Sequence, residues 1–153
     1  MASEMKVERS VLIQSSRENV FNFLKITRNQ EQFSVWNMAD PNKKTTTSGE
    51  DGTVGFVYSW DSSSKNVGAG SQRIAAITNG SVIEYALVFE RPMKNTGTSK
   101  FILEDAGDGQ TKVTWDFRGP TKFPMSLFKG LFQRMLGKDI EQSLKNLKAI
   151  LDQ

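Results

Sequence analysis

The chain of 153 residues contains no cysteine and no histidine. The first absence removes disulfides, thiolate nucleophiles and cysteine-ligated metals together. The second removes Ser-His and Cys-His nucleophile pairs, imidazole general bases and most transition-metal sites. No metal and no cofactor are therefore expected. Any catalysis would rest on Asp, Glu, Tyr, Lys, Arg, Ser or Thr, and tyrosine is itself scarce, with only Tyr58 and Tyr85. No run of ~18 apolar residues occurs, so no membrane-spanning segment and no integral membrane association are expected. The opening stretch, MASEMKVERS, lacks the apolar core of a signal peptide, and a cytoplasmic location is the default reading.

What is present fits one globular domain over residues 1–153, long enough to bury a core. Hydrophobic residues make up 37% and charged residues 24%, outside the disordered range. The net charge of +3 is spread along the chain with both signs mixed. Such a pattern serves solubility and does not make a nucleic-acid footprint, which needs clustering on one face. Lys122, Lys129, Arg134 and Lys138 come nearest to a cluster and read as a solvated helix face. Gly68-Ala69-Gly70 lacks the following helix of a phosphate loop and reads as a strand with a bulge or tight bend. Asp105, Asp108 and Gly109 lack the spacing and closing Glu of a calcium loop.

Val7, Val11 and Ile13 alternate with more polar positions and predict a strand over Met5 to Gln14. Arg9 shares their face, so it either stands in solvent at a sheet edge or reaches into an interior cavity. Ser15 or Ser16 caps a short helix with Val20, Phe21, Phe23 and Leu24 on its apolar face. A second short helix is expected over Asn29 to Phe33, leading to Val35-Trp36-Asn37-Met38 and a turn at Asp40-Pro41-Asn42. From Lys43 to Arg118 the chain reads as hairpins. Strands are expected at Thr45–Glu50, from Val54 to Trp60, from Val67 to Thr78, over Ser81–Glu90, over Thr98–Glu104 and over Thr111–Arg118. Asp51-Gly52, Asn79-Gly80 and Asp108-Gly109 supply turns. Glu84 and Asp116 alternate with inward aromatics and are expected outside, in solvent. Gly119-Pro120 and Pro124 are expected to end the sheet.

The only long run with helical spacing is the last, predicting a helix from about Met125 to Leu151. Phe128, Leu131, Phe132 and Met135 form one apolar set; Ile140, Leu144, Leu147 and Leu151 form another about a third of a turn away. Gly137 lies between them, and Asp139-x-x-Gln142 resembles a capping box, so a kink or break is expected there. The second half reads as core. The first half either closes over a pocket or is core as well.

One strand, two short helices, about six hairpin strands and a long helix make an α+β chain with an antiparallel sheet whose apolar face the helix covers. With Val7-Glu8-Arg9-Ser10-Val11, Asn19-Val20-Phe21, Trp36-Asn37, Asp40-Pro41, Tyr58-Ser59-Trp60, Gly68-x-Gly70, Thr111-x-Val113-Thr114-Trp115 and Leu144-x-x-Leu147-Lys148 in those places, the chain resembles the START-like, or SRPBCC, superfamily. Its polyketide cyclase/dehydrase-type members are the nearest kind. The resemblance spans nearly the whole chain and implies a helix-grip fold, a curved sheet of about seven strands with two short helices around a long C-terminal helix. It also implies a cavity between sheet and helix. The lining expected here is Trp36, Phe56, Tyr58, Trp60, Phe89, Phe101, Trp115 and Phe117, with Phe128, Leu131, Phe132 and Met135 from the helix. The alternative is that these aromatics fill the space and leave none.

An apolar site with few polar groups suits a small hydrophobic molecule such as a lipid, isoprenoid or polyaromatic. Tyr58 could orient a ligand carbonyl or donate a proton, and Arg9 could hold a carboxylate or phenolate. Two other readings stand beside this one: a cyclase/dehydratase-like enzyme using the same cavity, and a protein-interaction module like chaperone activators. No catalytic motif transfers from the superfamily, and the chain is expected as a monomer or dimer.

Overall fold

The computed structural model describes residues 3–65, 67–91, 93–121 and 129–153. Strand β1 (Ser3–Ile13) is followed by helix α1 (Arg17–Leu24), a 3-10 helix (Thr27–Gln32) and the short helix α2 (Val35–Met38). Six strands come next: β2 (Lys44–Ser48), β3 (Val57–Asp61), β4 (Ala69–Thr78), β5 (Val82–Arg91), β6 (Asn95–Gly107) and β7 (Gln110–Thr121). Helix α3 (Lys129–Leu151) closes the chain. The seven strands form one sheet of order β1-β7-β6-β5-β4-β3-β2, with every neighbouring pair antiparallel. This is the α+β helix-grip arrangement.

Local chemistry sets several boundaries. The Ser16 hydroxyl accepts from the Asn19 amide at 3.2 Å and so caps α1, whose Val20, Phe21 and Leu24 are buried. Ala69-Gly70 marks a register shift between β4 and β5. A side chain at Gly70 would collide with the Val88 carbonyl and come within 2.9 Å of the Trp60 ring, so glycine there serves close packing. Val54 is exposed and precedes β3, which begins only at Val57. Gly119 and Pro120 do not end the sheet. β7 runs through them to Thr121, with Pro120 opposite Glu4 of β1. The register with β6 stops at Arg118, so Pro120 needs no amide for a second ladder. Pro124 lies outside the described residues.

Helix α3 is unbroken through Gly137. Phe132, Leu136, Ile140, Leu144, Leu147 and Leu151 follow one another at three- and four-residue steps and make a single stripe. Ile140, Leu144 and Leu147 are fully buried. Leu131 and Met135 lie beside that stripe and are exposed. The change-over expected at Gly137 came from grouping Leu131 and Met135 with Phe132. Asp139 and Gln142 accordingly sit inside the helix, and the Asp139 carbonyl accepts from Ser143 at 2.8 Å. Gly137 has a different reason to be glycine: the Arg9 guanidinium of β1 lies across it, with its central carbon 2.9 Å from where a Cβ would stand.

The helix also covers the β1 edge. Gln133 Nε2 donates to the Lys6 carbonyl at 3.2 Å, Lys148 Nζ to the Leu12 carbonyl at 3.0 Å, and Arg9 Nε to Glu141 at 2.9 Å. The first two bonds satisfy carbonyls of an edge that would otherwise invite another strand. At the far end of the sheet, β2 is short and largely exposed. Helix α2 docks on α3 through Val35 N to Ser143 Oγ at 3.0 Å and Asn146 Nδ2 to the Phe33 carbonyl at 3.0 Å. The packed core fills the part of the sheet beneath α1 and the second half of α3, with Ile13, Leu24, Phe33, Ile74, Ile83, Phe101 and Val113 among its fully buried members.

Candidate functional site

The remaining part of the inner sheet face is not filled. A cavity of about 360 Å³ lies between it and the α2–α3 side of the molecule. Its floor comes from alternate residues of neighbouring strands, as the two-residue period requires: Tyr58 and Trp60 of β3, Gln72 of β4, Leu87 and Phe89 of β5, Ser99 of β6, Trp115 and Phe117 of β7, and Met5 of β1. Its cover comes from Trp36 and Asn37 of α2 and Leu136 of α3. The aromatic walls hold one another edge-on. Trp36 packs against Trp115 and Phe117 with ring centres 5.9 and 5.7 Å apart, and Trp60 against Phe89 at 6.1 Å. Trp115 is anchored from below by a stack on Phe101 at 4.6 Å. Such pairs favour a fixed wall over a collapsible one.

Beside this cavity, and sharing Met5, Phe89, Asn95, Thr96, Pro120 and Leu136 with it, runs an open groove of about 850 Å³. Phe132 and Met135 of α3 and Val88 and Met93 at the β5–β6 end line the groove.

The expected lining residues separate by geometry. Trp36, Tyr58, Trp60, Phe89, Trp115 and Phe117 line the cavity, while Phe132 and Met135, with Phe89, line the groove. Phe56 and Phe101 are buried in the packed core and face neither space. Leu131 is an exposed helix residue off both. Arg9 does not reach the cavity: besides Glu141, it donates to its neighbour Glu8's carbonyl at 2.7 Å, and both contacts hold it on the α3 side of the edge strand. Phe128 lies outside the described residues, as do Lys122 and Met125. Glu84 is exposed as expected. Asp116 also faces away from the cavity aromatics, yet it is buried, because Arg118 folds over it with bonds of 3.1 and 3.3 Å.

Polar groups enter the cavity mainly at its β3–β4 end, and most were not singled out from the sequence. Gln30 and Gln72 are both buried and exchange amide hydrogen bonds of 3.4 and 3.2 Å. Tyr58 donates to Glu31 Oε1 at 3.1 Å and accepts from Asn37 Nδ2 at 3.4 Å. Lys43 donates to the Asn37 carbonyl at 2.8 Å. The one sequence signal available was Gln72, a polar residue two positions from Gly70 and from Ile74 and hence on their face. The indole N–H of Trp115 is buried and has no acceptor among the described residues.

Burial pushes the Tyr58 hydroxyl well above the ordinary phenol value, and the Glu31 carboxylate beside it adds to the effect. Burial likewise pushes Tyr85 up to about 12, against the opposing bonds from Thr27 and Gln30. Both phenols therefore stay protonated near neutral pH and act as hydrogen-bond donors. Among the described residues no cluster of acidic side chains able to hold a metal occurs.

The arrangement has known counterparts. Residues 4–152 match the family described as polyketide cyclase / dehydrase and lipid transport, and the chain belongs to that family. Protein CV1439 from Chromobacterium violaceum superposes with a TM-score of 0.68 at 15% identity, over 97% of this chain and 98% of its own. Truncated norcoclaurine synthase from Thalictrum flavum gives 0.69 at 8% identity, over 95% and 94%. The Aha1 dimer from Colwellia psychrerythraea gives 0.66 at 16% identity, over 96% of each chain. At these identities the likeness is one of fold. Among curated protein sequences none is significantly similar.

Proposed function

We propose that this member of the polyketide cyclase / dehydrase and lipid transport family binds a small hydrophobic ligand, a lipid, isoprenoid or polyaromatic, in the cavity between the sheet and α3. The observation that carries the reading is the cavity itself: about 360 Å³, walled by Trp36, Trp60, Phe89, Trp115 and Phe117, with polar groups gathered mainly at one end. Apolar walls with a few placed donors are the usual make-up of a small-molecule site. The family description, which includes lipid transport, supports it. The lack of cysteine suits a reducing compartment, and the proposal includes a cytoplasmic location.

A cyclase- or dehydratase-like enzyme is the second reading, supported by the family description and by the Tyr58–Glu31 bond. Binding is preferred because the one carboxylate bonded to Tyr58, Glu31, is not among the residues lining the cavity, and the shift of Tyr58 runs away from neutrality, which makes the phenol a weak proton donor. The interaction-module reading has only the fold likeness to the Aha1 dimer behind it, and the monomer-or-dimer question stays with that proposal.

All three tryptophans of the chain stand in the cavity wall. Titration with pyrene should therefore quench intrinsic fluorescence saturably, with transfer to the probe, at micromolar concentrations. An unchanged tryptophan signal across that range would count against the reading.

A further inference from the structure

We infer that the ligand is an elongated amphiphile with an acceptor head, a carboxyl or carbonyl group seated at the β3–β4 end of the cavity, and an apolar chain that leaves past Leu136 into the groove along α3. This inference rests on the binding reading above and assigns the ligand's class and orientation.

The direction follows from how polarity is distributed. At the β3–β4 end Gln30 and Gln72 use one donor and one acceptor each on one another; the other N–H of Gln30 is directed at the Tyr85 hydroxyl, which leaves Gln72 a second N–H. Lys43, Arg91 and Arg118 are among the lining residues, but the Arg118 guanidinium lies with Asp116 on the face turned away from the cavity aromatics. Arg91 is paired with Asp61 and Arg118 with Asp116. Lys43 has no carboxylate within ion-pair distance among the described residues, and its ammonium spends one bond on the Asn37 carbonyl. The free Gln72 N–H and the Lys43 ammonium, which is outside ion-pair distance of the nearby Asp40, call for a ligand group rich in acceptor oxygens.

The groove is different: its one cation, Lys94, stands with two carboxylates, Glu90 and Asp139, among mainly apolar residues. The cavity and the groove share Met5, Phe89, Asn95, Thr96, Pro120 and Leu136, and beyond these the groove is lined by Phe132, Met135 and Met93. Met93 and Met135 are half exposed although large and apolar. A volume of about 360 Å³ lies near the lower end of small-ligand sites, roughly 300–1,000 Å³. A long chain whose head is inside must therefore continue elsewhere, and the groove of about 850 Å³ sharing the cavity's rim is where it can. The flexible thioethers of Met93 and Met135 suit a chain of variable length.

The test uses stearic acid carrying bromine near the carboxyl or near the methyl end, since bromine quenches tryptophan only at short range. The head-brominated acid should quench strongly and the tail-brominated acid weakly, because all three tryptophans line the cavity. Across unbranched acids from octanoic to stearic, affinity should rise about two- to threefold for each methylene placed in the groove. Met135→Ser should reduce the affinity for stearic acid at least threefold and leave octanoic acid unaffected. Leu131→Ser, equally exposed but off the groove, should change neither. Lys43→Met should weaken stearic acid about tenfold and spare octadecane-1-ol. Stronger quenching by the tail-brominated acid, or affinity indifferent to chain length while octanoic acid and pyrene bind, would overturn this inference and leave the cavity reading intact. Failure of every acid and of pyrene would remove both.

Discussion

The guanidinium of Arg9 lies across Gly137 and donates to Glu141 one helical turn further on. A β1 side chain thereby fixes how deeply α3 seats on the sheet edge. In wild type, Gly137→Ala gains up to ~1 kcal/mol of helix propensity but displaces the Arg9 guanidinium and its ion pair. We predict little or no stabilisation from the single change, and a gain of ~0.5–1 kcal/mol when the same change is made in Arg9→Ala. Denaturant melts of the four proteins in that cycle give the coupling. Equal effects in both backgrounds would show that the contact does not constrain the helix.

The Gln30–Gln72 pair joins the 3-10 helix to β4 inside the cavity. Gln72→Leu leaves a buried amide without its partner and should cost about 1–3 kcal/mol. The double change Gln30→Leu with Gln72→Leu should cost less than the single one, since no amide is stranded and the Tyr85 hydroxyl, which loses Gln30, keeps Thr27. Chemical unfolding of the single and double variants decides it, and a purely additive loss would contradict the pairing.

Tyr85 predicts an alkaline limit on stability. Its folded value of about 12 lies above the ordinary value of 10. Between those two pH values the unfolded chain gives up a proton that the folded chain keeps, so stability is complete below pH ~10 and falls as the pH rises toward 12. The loss attributable to this group is about 2–3 kcal/mol. Tyr85→Phe should flatten that part of the profile, measured as the difference between melts at pH 8 and pH 11.5. An unchanged slope would mean the phenol ionises alike in both states.

The sequence carried the architecture well because hairpin signals and alternation are local. Asn79-Gly80 and Asp108-Gly109 do join strands, and along β5 Ile83, Tyr85, Leu87 and Phe89 share one face, the first three buried and Phe89 partly so. Local pattern also identified the aromatics that stand over the cavity. It could not separate Phe56 and Phe101, which face packed core, from Tyr58 and Trp115, which face open space, since all four occupy equivalent inward positions. That difference depends on what lies opposite each residue across the molecule. The same holds for Arg9, whose destination depends on β1 being an edge strand beside α3. Alternation alone predicts a solvated Asp116, but Arg118, two residues along the same face, covers it. In α3 residue type alone suggests a second stripe because Leu131 and Met135 are apolar yet exposed.

The claim that the cavity holds an apolar molecule is tested most directly on the protein isolated from its own host. Native mass spectrometry, followed by denaturing extraction, would show whether a defined compound accompanies the chain. The account predicts one apolar species in near-stoichiometric amount, released on unfolding and retained less well by Tyr58→Phe or Trp115→Ala. A clean apo mass, together with no uptake of fatty acids or aromatic probes at micromolar concentration, would contradict it.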